Sequence, residues 1–225
     1  KKPKFWDSSK PNFISYILFP LTLIIRINNF FLDNLSLSKN KNIKTICIGN
    51  IYLGGTGKTP TTIKLYNIIK RLGFNVVTAK KFYKNEEDEQ IILKEKTNLI
   101  SEKTRNKIIN SAIKKNFDLI VFDDGLQDKK VNYDIKFVCF NSDEWIGNGQ
   151  LIPSGPLREK LNSLKKYDGV FIKGNDLIIS KTISKIIKKI NPEIKIYFTN
   201  YNVMNLDNFD LTKKYLLFSG IGSPI

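Results

Sequence analysis

Gly49-Asn50-Ile51-Tyr52-Leu53-Gly54-Gly55-Thr56-Gly57-Lys58-Thr59-Pro60 decides the fold. Residues 43–48 before it are apolar and β-branched and read as a buried strand. Residues 61–71 after it space Ile63, Tyr66 and Ile69, with Ile68, for one helical face. Strand, glycine-rich loop, Gly-Lys-Thr and helix together are the context of a phosphate-binding loop. Glycines let backbone N–H groups turn inward around an anion. The following helix points its positive end at the same anion. Lys58 then adds a point charge for the β- and γ-phosphates of a nucleotide, and Thr59 offers a hydroxyl to Mg²⁺. One position departs from the pattern: Tyr52 stands where the usual loop has a glycine, five before Gly57. The rival reading is a glycine-rich turn that binds nothing, but Lys-Thr directly after the last glycine is not needed for turning.

Working outward, residues 118–124, Asp-Leu-Ile-Val-Phe-Asp-Asp, form an apolar run ending in acid. A carboxylate at the carboxyl end of a strand is the second half of such a nucleotide site, because it holds or orients Mg²⁺. Further strands are expected over residues 74–79, 135–140, 169–172, 194–198 and 215–218. Helices are expected over residues 90–96, 105–115 and 178–190, with Glu86 to Glu89 opening the first of these. Gly73 stops the helix after the loop, and Lys80 to Asn85 read as a basic loop. The rigid turn Pro153-Ser154-Gly155-Pro156 precedes Arg158, which is expected to open a helix and to clamp a phosphate or carboxylate. The alternative for Arg158 is an arginine bonding loop carbonyls. Strands alternating with helices argue for an α/β, P-loop NTPase-like fold: a mostly parallel sheet with helices on both faces.

Among its 225 residues the chain carries 37 Lys and Arg against 21 Asp and Glu, no histidine and two cysteines, a formal net charge of +16. A basic balance suits acidic partners, although solvated lysine faces over a compositional bias account for any one cluster equally well. Cys47 and Cys139 lie in apolar strand-like runs and read as core residues of a reduced, cytosolic protein. The absence of histidine and the two lone cysteines argue against a zinc site, and the usual general base is missing.

Residues 13–25 are apolar, flanked by lysines around Phe5 and Trp6 and closed by Arg26. The run reads as too short to span a bilayer, and Pro20 should kink it. Basic flanks, aromatics and an apolar face fit an interfacial anchor. A helix covering the sheet and a signal peptide are the rivals; no small-residue cleavage site follows. The chain begins at Lys1 without Met and ends at Gly220-Ile221-Gly222-Ser223-Pro224-Ile225 just after a strand-like run, so it reads as a fragment.

Four segments carry a resemblance. Phe5-Trp6 with the apolar helix, the loop Gly49 to Pro60, Asp123-Asp124-Gly125-Leu126-Gln127-Asp128, and Gly147-Asn148-Gly149 through Pro153, Gly155-Pro156-Leu157-Arg158-Glu159 are similar to the tetraacyldisaccharide 4′-kinase family. The last two match that family's D-D-G-F-Q-H and G-N-G…L-P-x-G-P-L-R-E motifs, and the terminal Gly-Ile-Gly-Ser-Pro resembles its G-I-G-N-P turn. The family's P-loop is atypical, which accommodates Tyr52. The resemblance implies transfer of the ATP γ-phosphate to the 4′-hydroxyl of a lipid A disaccharide 1-phosphate at the cytoplasmic face of the bacterial inner membrane; a peripherally bound monomer that binds no nucleic acid is expected. It implies Asp88, aligned with the aspartate of a G-D-E-P segment, as the base, with Lys58, Asp124 and Arg158 also catalytic. Gly54, Gly55, Thr56, Gly57, Lys58, Thr59, Gln127 and Glu159 would bind ATP, and Thr59 and Asp123 would hold Mg²⁺.

Departures are Glu87 and Gln90 around Asp88-Glu89, Lys80-Lys81-Phe82-Tyr83 at an R-G-Y-type loop, Leu126 for phenylalanine and Asp128 for histidine. The family's base is helped by a histidine of a C-terminal lobe, expected here beyond Ile225. The division expected is a membrane-associating segment over 1–32, a kinase domain over 33–200 and the start of a lobe over 201–225. Other P-loop classes, a GTPase-like metallochaperone or a synthetase, would want His or Cys ligands or an Asn-Lys-x-Asp reader. A basic membrane- or nucleic-acid-binding module without catalysis is the remaining alternative.

Overall fold

The computed structural model describes residues 2–33, 42–82, 87–128, 130–202, 207, 209, 210 and 212–214. Seven strands pair in one sheet: β1 (Lys44–Gly49), β2 (Val76–Lys81), β3 (Leu99–Glu102), β4 (Leu119–Asp123), β5 (Ile135–Asn141), β6 (Gly169–Lys173) and β7 (Lys195–Thr199). Their order is β3-β2-β4-β1-β5-β6-β7. All six pairings are parallel, so the mostly parallel sheet expected is wholly parallel among the described residues. The central strands read as near-continuous apolar runs because both faces are covered.

The covering helices are α3 (Lys58–Arg71), α4 (Glu87–Lys96), α5 (Arg105–Lys114) and α6 (Leu177–Ile190). On one face Tyr66 and Ile69 of α3 pack on Ile46, Ile48 and Val121. On the other, Ile108 and Ile109 of α5 and Ile183 and Ile187 of α6 close over Cys47, Phe122, Val138 and Val170. Both cysteines are free and buried. The chain leaving β1 crosses towards β2, while the chain leaving β4 crosses past β1 to β5. The crevice at that reversal, outside the carboxyl ends of the strands, is where open α/β sheets take ligands.

Four expectations change. First, β2 runs to Lys81, so Lys80 is strand and not loop: pairing with β3 carries the strand past the end of its apolar run. Second, β3 was not expected; Leu99-Ile100-Ser101-Glu102 is short and half polar and becomes a strand by pairing along β2. Third, Arg158 opens no helix. Its N–H bonds the Ile51 carbonyl at 2.7 Å, outside any helical pattern, and only a 3₁₀ segment, Leu161–Lys166, follows. Fourth, the N-terminal apolar element is longer than read. Helix α1 (Phe13–Leu18), a 3₁₀ turn at Phe19–Leu21 and α2 (Thr22–Asp33) make the run Phe13–Phe31, 19 residues, long and apolar enough by length and composition to cross a membrane. The turn at Pro20 is the expected kink. The strand expected over 215–218 and most of the loop expected over 33–42 lie outside the described residues.

Two close approaches fasten this N-terminal element to the sheet domain. Gly147, at φ +54°, leaves no room for a Cβ, which would meet the Trp6 carbonyl oxygen at 2.1 Å. Buried Asn148 bonds the Ser15 hydroxyl and the Ser154 carbonyl, each at 3.0 Å, while the Ser154 hydroxyl donates to the Ser15 carbonyl. Trp6 donates its indole N–H to the Pro153 carbonyl at 3.0 Å.

Candidate active site

Gly57 caps α3 in the left-handed region, at φ +80°, which an L side chain rarely adopts. The helix begins at Lys58, so the first amides of α3 and its positive end face the crevice. Gly54 and Gly55 are exposed along the loop, and Thr56 is buried. Tyr52 is a packing residue: its side chain is fully buried, its backbone forms an antiparallel bridge with Leu157, and its hydroxyl accepts from Lys2 at 2.7 Å. A glycine there would leave that wall of the loop empty.

Lys58 and Asp123 lie at the same end of the sheet. β4 neighbours β1 with Ile48 opposite Asp123, so the end of β4 arrives beside the loop. Thr59 Oγ1 donates to Asp123 Oδ2 at 2.9 Å, and Thr62 Oγ1 reaches Oδ1 at 3.4 Å. Asp123 is 1% exposed. Burial pushes its carboxyl above the usual range, with Lys80 pulling it part of the way back. Asp124 sits at φ +62°, a conformation aspartate tolerates better than most residues. Its carboxylate there faces Lys58 at 3.8 Å and Arg158 at 3.5 Å.

Arg158 also donates to Gln127 Oε1 at 3.1 Å, and Gln127 Nε2 donates to the Asn50 carbonyl at 2.9 Å. Glu159 is buried behind them, its oxygens accepting from the Tyr167 hydroxyl and from Gln127. In this arrangement it holds Gln127 and faces away from open solvent. Asp88 is exposed in the first turn of α4, beside Glu89.

Four contributors were invisible in the sequence reading. Lys80, 3% exposed, bonds Asp123 Oδ2 at 3.2 Å and pairs with Glu89. Burial works against its ammonium, but Asp123 and Glu89 outweigh it and hold it above the ordinary lysine range. Buried Arg105 pairs with Asp128 and donates to the Asp124 carbonyl at 2.9 Å, fastening the loop after β4. Asn29 of α2 donates to the Arg158 carbonyl at 3.0 Å. Asn50 is fully buried beside the loop. The one available signal was Lys80 itself: a residue ending a strand next to β4 has to emerge beside Asp123.

An open cavity of about 500 Å³ adjoins Asp123 and Asp124, walled by Lys80, Lys103, Arg105 and Arg158 among others. No cluster of three or more His, Cys, Asp or Glu that could hold a metal occurs among the described residues. A divalent ion here would share ligands with a nucleotide. The hydroxyl of Thr59 and the carboxylate of Asp123 are hard oxygen donors that suit Mg²⁺ in such a site. Buried and unpartnered at the loop, Thr56 Oγ1 and Asn50 Oδ1 are polar atoms that a ligand would satisfy.

Residues 14–225 match the family model described as LpxK, tetraacyldisaccharide-1-P 4′-kinase. The chain is 47% identical over 223 residues to a tetraacyldisaccharide 4′-kinase of Pelagibacter ubique (strain HTCC1062), covering 99% of this chain and 70% of that protein. It is 33% identical over 239 residues to the protein of the same name from Rickettsia canadensis (strain McKiel), covering 99% and 71%. Among solved structures it is similar to LpxK from Aquifex aeolicus in complex with ATP, with a TM-score of 0.60 and 17% identity over 92% of this chain and 86% of that one. That last likeness is one of fold.

Proposed function

We infer how this site works from one premise: the chain belongs to the tetraacyldisaccharide 4′-kinase family. It is an ATP-dependent lipid kinase of lipid A biosynthesis, acting on the 4′-hydroxyl of a tetraacyldisaccharide 1-phosphate. The observation that carries the assignment of residues is the meeting of Lys58 and Thr59 with Asp124 and Asp123 at one end of the sheet.

Phosphoryl transfer asks the protein for positioning and charge neutralisation more than for covalent chemistry. The loop from Gly54 to Gly57, with Thr56, wraps the triphosphate through backbone N–H groups. Lys58 places its ammonium on the β- and γ-phosphates. Thr59 and Asp123 would hold Mg²⁺, which when bound would supply positive charge to offset the phosphates. Asp124 orients Lys58 and Arg158, and Arg158 meets the anionic oxygens of nucleotide or acceptor. Gln127 and Glu159 keep Arg158 in place from behind. Asp88 takes the proton from the acceptor hydroxyl.

The N-terminal helices hold the protein peripherally at the cytoplasmic face of the inner membrane. Although the run Phe13–Phe31 has the length to cross, one side of it is committed to the domain through Ser15, buried Thr22 and Asn29. Phe13, Ile24, Phe30 and Phe31 stay exposed, which suits a helix lying in the headgroup region.

Radiolabelled phosphate transfer from ATP to the lipid acceptor tests the assignment: Lys58→Ala should lower it about a thousandfold, and undiminished transfer would end this reading of the loop. GTP in place of ATP should fail to compete.

A further inference from the structure

Lys80 is a cation on the sheet face covered by α3, one step past the Ala79–Phe122 pair of β2 and β4, and therefore level with Asp123. Both groups are buried, at 3% and 1% exposure. A pair of ions sealed this deeply is no source of net stability, because desolvation consumes what the attraction returns. Its effect is on geometry.

That effect runs in two directions. Toward the sheet, Lys80 and Thr59 both hold Asp123 Oδ2, at 3.2 and 2.9 Å, which confines the carboxylate to one orientation. Toward the surface, Lys80 pairs with Glu89 in the first turn of α4. A second tie, Ser101 Oγ to Gln90 Oε1 at 2.9 Å, fixes the same turn over the end of β3. Leu93 of that helix is fully buried, while Ile91 and Ile92 are about half exposed. Polar ties therefore set where its first turn sits, and that turn carries Asp88.

We propose that Lys80 is a positioning residue that locks Asp123 against Thr59 and holds the first turn of α4, with Asp88, over the nucleotide site. The inference rests on the kinase reading above. Lys80 acts through Asp123 and Glu89, the two carboxylates it pairs with.

A double-mutant cycle of Lys80→Met and Glu89→Ala, assayed for phosphate transfer, tests it. Each single variant should lower kcat about tenfold or more, on the scale of a misplaced catalytic group, with KM for ATP within about twofold. The double variant should lose no more than the worse single. A separate readout uses the nucleotide-free protein: hydrogen exchange of the amides of residues 88–93 should quicken in Glu89→Ala, while that of β4 should not. Additive losses in the cycle, or unchanged exchange in α4, would overturn the proposal. Should Lys80→Met fail to fold, Glu89→Ala decides alone, since Glu89 is about half exposed; undiminished kcat then overturns it. Lys58→Ala run beside these separates the two levels. If it too is fully active, the kinase site is wrong, and if it is dead while the Lys80 variants are normal, only this inference fails.

Discussion

At the carboxyl ends of β2 and β4 the molecule buries charge: Lys80 and Asp123 are inside. On α1 and α2 it exposes hydrocarbon: Phe13, Ile24, Phe30 and Phe31 are each more than half open to solvent. Each region breaks the ordinary solvation rule, in opposite senses. The buried charges are compensated within the protein by each other and by threonine hydroxyls. The apolar side chains of α1 and α2 stay largely open to solvent, which suits the proposed contact with a lipid surface. The first arrangement belongs to a site awaiting a polyanion, and the second is the face for which contact with lipid is proposed.

The comparison breaks hardest at Asp123. Asp123→Ala should abolish phosphate transfer, and it should also destabilise the fold by about 3–5 kcal/mol, because Lys80 is left buried with one partner fewer. Thermal or denaturant unfolding measures this, and an unchanged Tm would show that the charges are not compensated as described. Lys58→Ala should cost about a thousandfold in kcat, the upper range for removing one preorganised charge, without moving Tm. Its side chain is partly open and ends 3.8 Å from Asp124, so little stability rests on it.

The lipid-facing side sharpens the contrast. Replacing Ile24 and Phe30 by Gln removes about 1.5 kcal/mol of burial each on membrane binding, so flotation with anionic vesicles should weaken about a hundredfold. Tm should stay within about 1 °C, since both side chains are mostly exposed. A fall in Tm like that of a core variant would mean the helix is a lid on the protein and not an anchor. Asn148→Ala, at the joint between the two regions, should cost about 1–3 kcal/mol by stranding its partners.

The smallest effect concerns the thiols. Burial pushes Cys139 up to about 12 and Cys47 well above its ordinary value. The folded values exceed the unfolded value of about 8.5. The stability contributed by the neutral buried thiols is thus complete below that pH and declines as pH rises toward 12. At pH 8 iodoacetamide should label neither cysteine in the native protein and both after unfolding, as mass spectrometry would report.

The sequence made some of this legible and not the rest. Gly57-Lys58-Thr59 and Asp123-Asp124 could be read as two halves of one site because each is a local pattern with its own physical meaning. Lys80 could not, because a lysine after Val-Val-Thr-Ala looks like the start of a loop until β3 is known to pair alongside. β3 itself, four residues with two polar ones, carries no period of its own. Arg158 was mistaken for a helix start because the prolines before it resemble a helix entry, whereas its amide bonds the chain at Ile51. The apolar run was read too short because Arg26 looks like an end; Arg26 lies over the Phe19 ring and Asn29 beyond it bonds the Arg158 carbonyl, so the helix continues through both.

By itself, then, the order of residues determined which local shapes form: a strand turning through glycine into a helix, acid at a strand's end, an apolar stretch kinked at proline. Those depend on contacts within a few residues. Tertiary structure alone decided which charges are buried together and what holds them there, because β2 and β4 are neighbours in space and more than 35 residues apart in the chain. Burial and ion pairing belong to that spatial neighbourhood, and no single stretch of sequence contains it.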